Sequence, residues 1–337
     1  MPELRLGVAL NLLLRTMPIL LIRLGATLLF WVVALVYLAI VGGVAFLIAQ
    51  AIEIVGVILF IIALVSVIPL YNLAYRYVFY MIKAAHVAVM AELIENDKLP
   101  DGVNQLEWGR QKVQSRFLEM NAMFDIDEIV TGVVRAFTRT VYNIARFLPG
   151  DTIDTLIRVI NRVIEYALKY VDEAVLARSF WHEEEDVWEN ARDGVVLYAM
   201  AWKPLLTAAV ALMAISFLPS IAAFLIFAAP IGAILAFVNP ELAGWSLIFL
   251  LLFAWLIKVA IGDAFAVAAI ISTYRRETRD LVPDEAMAAQ LDQVSDQFGE
   301  LARRAQEAIK PTRQKPEQST TTTNQLTQTD TPPTTES

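Results

Sequence analysis

Two long apolar blocks, from Leu24 to Ile82 and from Leu205 to Ser272, constrain this chain more than any other feature. Each exceeds the roughly 20 residues that one transmembrane helix needs, so each reads as a pair of helices. Polar, proline and glycine residues interrupt the runs at Gln50-Ala51-Ile52-Glu53 and at Asn239-Pro240-Glu241-Leu242-Ala243-Gly244, which marks two hairpin turns. The predicted spans are 24–50, 54–82, 205–237 and 245–272. With 57% hydrophobic residues the chain exceeds the apolar usage of soluble domains, about 45–50%, and belongs in a bilayer. The first run outlasts the core of about 7–15 residues in a cleavable signal peptide, so it is expected to stay as a signal anchor.

The two hairpin turns hold Glu53 and Glu241 but no lysine or arginine. The other flanks carry Arg5, Arg15, Arg23, Lys83, Lys203, Arg275, Arg276 and Arg279. The positive-inside rule then puts both termini and the middle region in the cytoplasm, with the plasma (inner) membrane as the expected location. Trp202 with Tyr198, and Tyr274 beside Arg275, fit interfacial anchors on that side, and Trp245 fits one on the other. A three-span second block broken at Pro219 and Pro230 would place Arg275 and Arg276 outside, against the same rule.

The phrase RLGVAL at 5–10 returns as RDGVVL at 192–197. With one gap, Pro18-Ile19-Leu20 then aligns with Pro204-Leu205-Leu206, and NDKLPD at 96–101 resembles RDLVPD at 279–284. The order of landmarks is preserved, although short apolar matches also arise from composition. The expectation is two parallel repeat halves, since two spans per half make both enter from one side. Gly42-Gly43 falls opposite Ala229-Pro230 in this alignment, a suggestion of matched helix breaks, but Gly43 lies late in its span and the chain has only 14 glycines, so extensive unwinding is not expected. The phrase itself reads either as an interfacial helix or as a cytoplasmic helix continuing into the span.

Between the blocks lies a helical region. Ile126, Ile129, Val130, Val133, Val134, Phe137, Val141, Ile144 and Leu148 follow a period of 3.6, and so do positions from Ile153 to Val175. Pro149, Gly150 and Asp151 join the two arms, which predicts a hairpin. The arms echo each other in Arg135, Arg139 and Arg146 against Arg158, Arg162 and Lys169, each trio on one helix face. These six are the candidate contacts to anionic lipid head groups. A solvated charged face on a packed hairpin is the plainer reading, because Glu128, Asp154 and Glu165 dilute the basic field.

The domain expectation is a first half over 1–120, a cytoplasmic hairpin over 121–191, a second half over 192–309 and a disordered tail over 310–337. The tail is rich in Thr, Gln and Pro, which bury too little apolar surface to order it. The fold class expected is all-α and polytopic, with four transmembrane helices.

Chemistry is sparse. FWHEEEDVWEN at 180–190 is the strongest metal-like stretch, with His182 and Asp186 four apart, yet a second imidazole ligand would have to be His86. A solvated acidic run paired with Arg178 and Arg192 is preferred, so no metal or cofactor is expected. Within the spans Lys258 and Asp263 stand out, with Asn72 and Arg76 at the comparable end of span two. These four form a possible transport path. An ideal helix turns residues five apart by about 140°, so Lys258 and Asp263 are not expected to pair, and Lys258 is expected to snorkel.

No catalytic motif appears, no cysteine is present and no concentrated basic face suits nucleic acid. The functional expectation is a non-enzymatic membrane scaffold or assembly component with lipid, an unidentified protein or a second copy as partner. The alternative is a small-solute or ion transporter using the polar residues of spans two and four.

Overall fold

The computed structural model describes residues 6–116, 120–143, 168–240, 244 and 246–313. Among these, every regular element is helical. Four helices are long and apolar enough to cross a membrane: Met17–Ala49, Glu53–Asn96, Trp202–Val238 and Ser246–Thr278. At 1.5 Å per residue, the 33 residues of the first extend about 50 Å, beyond a hydrocarbon core of about 30 Å. The spanning helices therefore project past the bilayer, where the rest of the protein packs on them.

The first half opens with α1 (Leu6–Arg15), turns at Thr16 and continues as α2 (Met17–Ala49). The Thr16 hydroxyl donates to the carbonyl of Leu12 at 2.9 Å and so ties off the corner. Pro18 occupies the first turn of α2, where its missing N–H has no intrahelical partner to lose. Span two consists of α3 (Glu53–Ala74), a π-helical turn at Tyr75–Phe79 and α4 (Tyr80–Asn96). Asp97, at φ 56°, ends α4 in the left-handed conformation and receives Arg15 at 2.6 Å. Asn104 caps α5 (Gln105–Arg116) by accepting from Leu106 N–H at 2.9 Å. Gly109 lets α5 lie on α4, because a Cβ there would meet the carbonyl oxygen of Ala85 at 2.5 Å.

The middle comprises α6 (Met120–Asn143), a 3₁₀ turn at Leu168–Tyr170 and α7 (Val171–Trp181). It leads into α8 (Val187–Met200). The second half then runs through α9 (Trp202–Ile215) and α10 (Leu218–Val238) to α11 (Ser246–Ile257). A second π-helical turn at Lys258–Gly262 precedes α12 (Asp263–Thr278), α13 (Glu285–Val294) and α14 (Asp296–Arg313).

The suggestion of matched breaks at Gly42-Gly43 and Ala229-Pro230 is not realised: both lie inside continuous helices. In lipid a broken helix strands several amides, whereas one proline removes a single hydrogen bond. The second block departs from α-helix at Ser216-Phe217 and still forms one hairpin, so the three-span alternative fails.

The core lies at the ends of the spans away from the two hairpin turns. There α12 packs against α1, α7 and α9, and α4 packs against α5 and α7. Ala84, Ala88 and Ala91 on α4, with Ala266 and Ala269 on α12, are buried, so these small-residue stripes serve close packing within the chain. The apolar stripe of α6, including Ile126, Val130, Val133, Val134 and Phe137, is buried against α7, α8 and α14. That stripe is occupied by protein and does not enter a lipid interface. The joining segment and most of the second predicted arm lie outside the described residues, as does the tail beyond Arg313.

Away from this core, α2 pairs with α3 and α10 with α11. Tyr37 and Ser66 hydrogen-bond across the first pair at 2.7 Å. Among the described residues, α2 reaches the second half's span chiefly at the Lys258–Gly262 turn. Most of the remaining apolar surface of the hairpins is exposed, as a lipid-facing surface would be.

Candidate functional site

The site grows from the π-helical turn at the C-terminal end of α11. In such a turn the hydrogen bonds run from i to i+5, and Asp263 N–H donates to the carbonyl of Lys258. The extra residue in the turn brings two side chains five apart onto one face. Lys258 Nζ accordingly lies 2.5 Å from Asp263 Oδ1, which corrects the expectation that they would not pair. The lysine side chain is 1% exposed, so it does not snorkel. Its ammonium lies 5.0 Å from the ring centre of Phe217 and 5.9 Å from that of Trp255, where ring faces attract a cation.

Asp263 collects partners from distant sequence. Tyr170 donates its hydroxyl proton to Oδ1 at 2.7 Å, and Lys169 Nζ lies 3.2 Å from Oδ2. Ser216 Oγ, at the departure from helix between α9 and α10, is 3.2 Å from the Tyr170 hydroxyl and donates to the carbonyl of Met213 at 2.7 Å. Gly262 allows this proximity, since a Cβ there would overlap the Ser216 carbonyl oxygen.

The same short segment reaches span two. Glu173, in the first turn of α7, forms a buried ion pair with Lys83 of α4. Residues 169–173 thus strap spans two and four together at their ends away from the hairpin turns. Sequence reading missed Tyr170, Glu173 and Ser216. The signal available was an aromatic and two acids, Tyr170, Asp172 and Glu173, inside an otherwise apolar helix start.

The other candidates divide. Asn72 is exposed on α3, and Arg76 is half-buried in the Tyr75–Phe79 turn. Arg135 and Arg139 are exposed on α6, on the side opposite its buried stripe. Lys169 is drawn from the expected lipid-facing trio to Asp263. Arg146, Arg158 and Arg162 lie outside the described residues.

The acidic run is a capped turn and not a helix face. α7 ends at Trp181, and Asp186 caps α8 by accepting from Trp188 N–H at 2.8 Å. His182 and Asp186 therefore do not share a helical surface. His182 Nδ1 lies 3.5 Å from Glu184 Oε1 and 3.7 Å from Glu185 Oε1, a grouping close enough to share a metal ion. Glu185, however, is held by Arg178 at 2.6 Å. Arg192 pairs instead with Glu285 at 2.7 Å. Arg116 straps the turn, donating to the carbonyls of Ser179, His182, Glu183 and Glu185 at 2.8–3.3 Å. The second histidine, His86, is buried and bonded to Thr16 Oγ1 at 2.8 Å. Replacing Asp186 with Ala removes the cap and is expected to lower stability by about 1 kcal/mol, measurable as a shifted unfolding midpoint; an unchanged midpoint would show that Arg116 alone fixes the turn.

What this arrangement can do chemically is hold charge and fix geometry: a buried ion pair, a hydrogen-bonded tyrosine and a strap between spans. No protein-family model matches the chain, and neither the curated proteins nor the solved structures compared with it include a match.

Proposed function

We propose that the protein is a non-enzymatic membrane scaffold, in which two transmembrane hairpins carry a helical module fixed rigidly at the inner surface. The observation that carries this reading is the strap at Lys169–Glu173, which holds span two by a buried ion pair and span four by a part-exposed ion pair and a buried hydrogen bond. A transporter would need the polar residues of spans two and four to line one path. Asn72 instead faces outward, and Lys258 is enclosed by rings and Asp263.

The module and both termini are placed in the cytoplasm by the charge of the flanks. Two related halves are supported by matched departures from regular helix. The π-helical turns begin at Tyr75 and Lys258, 183 positions apart, the same offset as NDKLPD and RDLVPD. The corners before spans one and three also match: Thr16 has φ −99° and ψ 15°, and Ala201 has φ −102° and ψ 22°. Arg135, exposed on α6 away from its buried stripe, is where anionic lipid or an acidic partner would bind.

Cysteine accessibility tests the reading, because the chain has no native cysteine. Glu53→Cys is expected to label from outside only, and Arg139→Cys from inside only. Ser216→Cys, a conservative change beside Tyr170, is expected to resist a membrane-impermeant reagent from both sides. Labelling of Ser216→Cys from both sides would establish a water path and put the transporter first. Labelling of Arg139→Cys from outside would reverse the orientation.

A further inference from the structure

Lys83 of α4 pairs with Glu173 of α7, and two further carboxylates, Asp172 of α7 and Asp127 of α6, lie within electrostatic reach of it. Glu173 binds Lys83 through Oε1, while its Oε2, in a residue only 1% exposed, has no hydrogen-bond partner. The neighbouring Asp172 is also buried and accepts from Thr131 Oγ1 at 3.1 Å and from Glu173 N–H at 2.9 Å. From α6, Asp127 is within electrostatic reach of both Lys83 and Asp172, and its Oδ1 is buried without a partner.

Among the described residues, the surroundings do not balance the charge. Glu128 adds a negative charge from α6. From α4, Tyr80 presents its ring to Lys83 at 5.5 Å, and Tyr75 is a second phenol within reach. Arg23 of α2 is within reach of Lys83 but is also drawn to Asp263. On the other side of α6, Arg304 of α14 approaches Asp125 at 3.9 Å. Fully ionised, the three carboxylates would face Lys83 with an excess of buried negative charge, and like-charged carboxyls sharing a site do not all ionise. Among the described residues, the ligand atoms close enough to share a metal ion belong to His182, Glu184 and Glu185, not to this cluster.

We propose that this cluster is a proton-binding site, in which Asp127 and Asp172 share a proton at neutral pH that docks α6 onto α7 and α4. The proton supplies the missing positive charge and turns one carboxylate into a hydrogen-bond donor, with no cavity required. Burial, reinforced by the charge of Asp127 and opposed by Lys83, pushes the Asp172 carboxyl up to about 8. Asp127 is raised as well, first by burial. Since Asp172 in the folded chain lies above the unfolded value of about 3.9, its contribution is fully present below that value. It is lost as pH rises through the folded value.

The test is infrared difference spectroscopy of the full chain in lipid nanodiscs, titrated from about pH 6 to about pH 9.5. The expected result is a protonated-carboxyl carbonyl band at neutral pH, lost with a midpoint within about one unit of 8 and missing from Asp172→Asn. Proteolytic protection of α6 should fall across the same range in the wild type and stay flat in Asp172→Asn. Thr131→Val removes a hydrogen bond that favours ionised Asp172, so it should move the midpoint upward even if Asp172→Asn does not fold. Absence of the band at neutral pH, an unmoved midpoint in Thr131→Val, or loss of the band on adding sodium or potassium at constant pH would each overturn the proposal.

Discussion

Asp263→Ala is expected to destabilise the protein by about 3–5 kcal/mol, the usual cost of leaving one member of a buried ion pair uncompensated. Lys258 is 1% exposed, and the rings of Phe217 and Trp255 cannot replace a carboxylate. The same substitution also frees Tyr170 and Lys169, so the strap loses its hold on span four. Lys258→Met should cost much less, because Asp263 keeps Lys169 at 3.2 Å and the Tyr170 hydroxyl at 2.7 Å. Thermal or denaturant unfolding of the two single variants and the double variant, followed by tryptophan fluorescence, measures the asymmetry and the coupling. Equal losses in the two single variants, or a loss below about 1 kcal/mol in Asp263→Ala, would show that the pair does not carry the junction.

Gly262→Val is the second large effect. Position 262 ends the π-helical turn and presses against the backbone carbonyl of Ser216, not against a flexible side chain. Relief therefore requires moving α9 and α10 away from α12. Overpacking of this kind costs about 1–3 kcal/mol, and more where backbone is the obstacle. The expected outcome is a protein that inserts with four spans but loses protection of Tyr170 and of the strap in hydrogen exchange. Gly7→Val provides the comparison, since a Cβ at Gly7 meets nothing within 4 Å. Similar exchange patterns for both variants would remove the close approach from the account of the site.

Much of the architecture is legible in the chain because it depends on local properties. Apolar run length places four spans, and the interruptions at Gln50–Glu53 and from Asn239 mark where the helices turn back. The 3.6-residue period along Ile126 to Phe137 marks a face that is indeed buried. Where the reading failed, it assumed regular helix. Lys258 and Asp263 were set apart by ideal geometry, and no residue type announces a π-helical turn. The spacing of four between His182 and Asp186 suits a shared face only on a continuous helix, and the helix ends at Trp181.

The sequence by itself determined that the chain is helical, that four segments can cross a membrane and where they turn, since length, apolarity and helix-breaking residues act within a few positions of themselves. The tertiary structure alone decided which buried charges meet. Lys169 and Asp263 are 94 positions apart, and Tyr170 and Ser216 are 46 apart. Such partners are chosen by how α4, α7, α9 and α12 pack at the ends of the spans away from the hairpin turns. Once packing removes water there, a charge is stable only beside its complement, so the packing selects the pairs and the pairs then hold the packing in place.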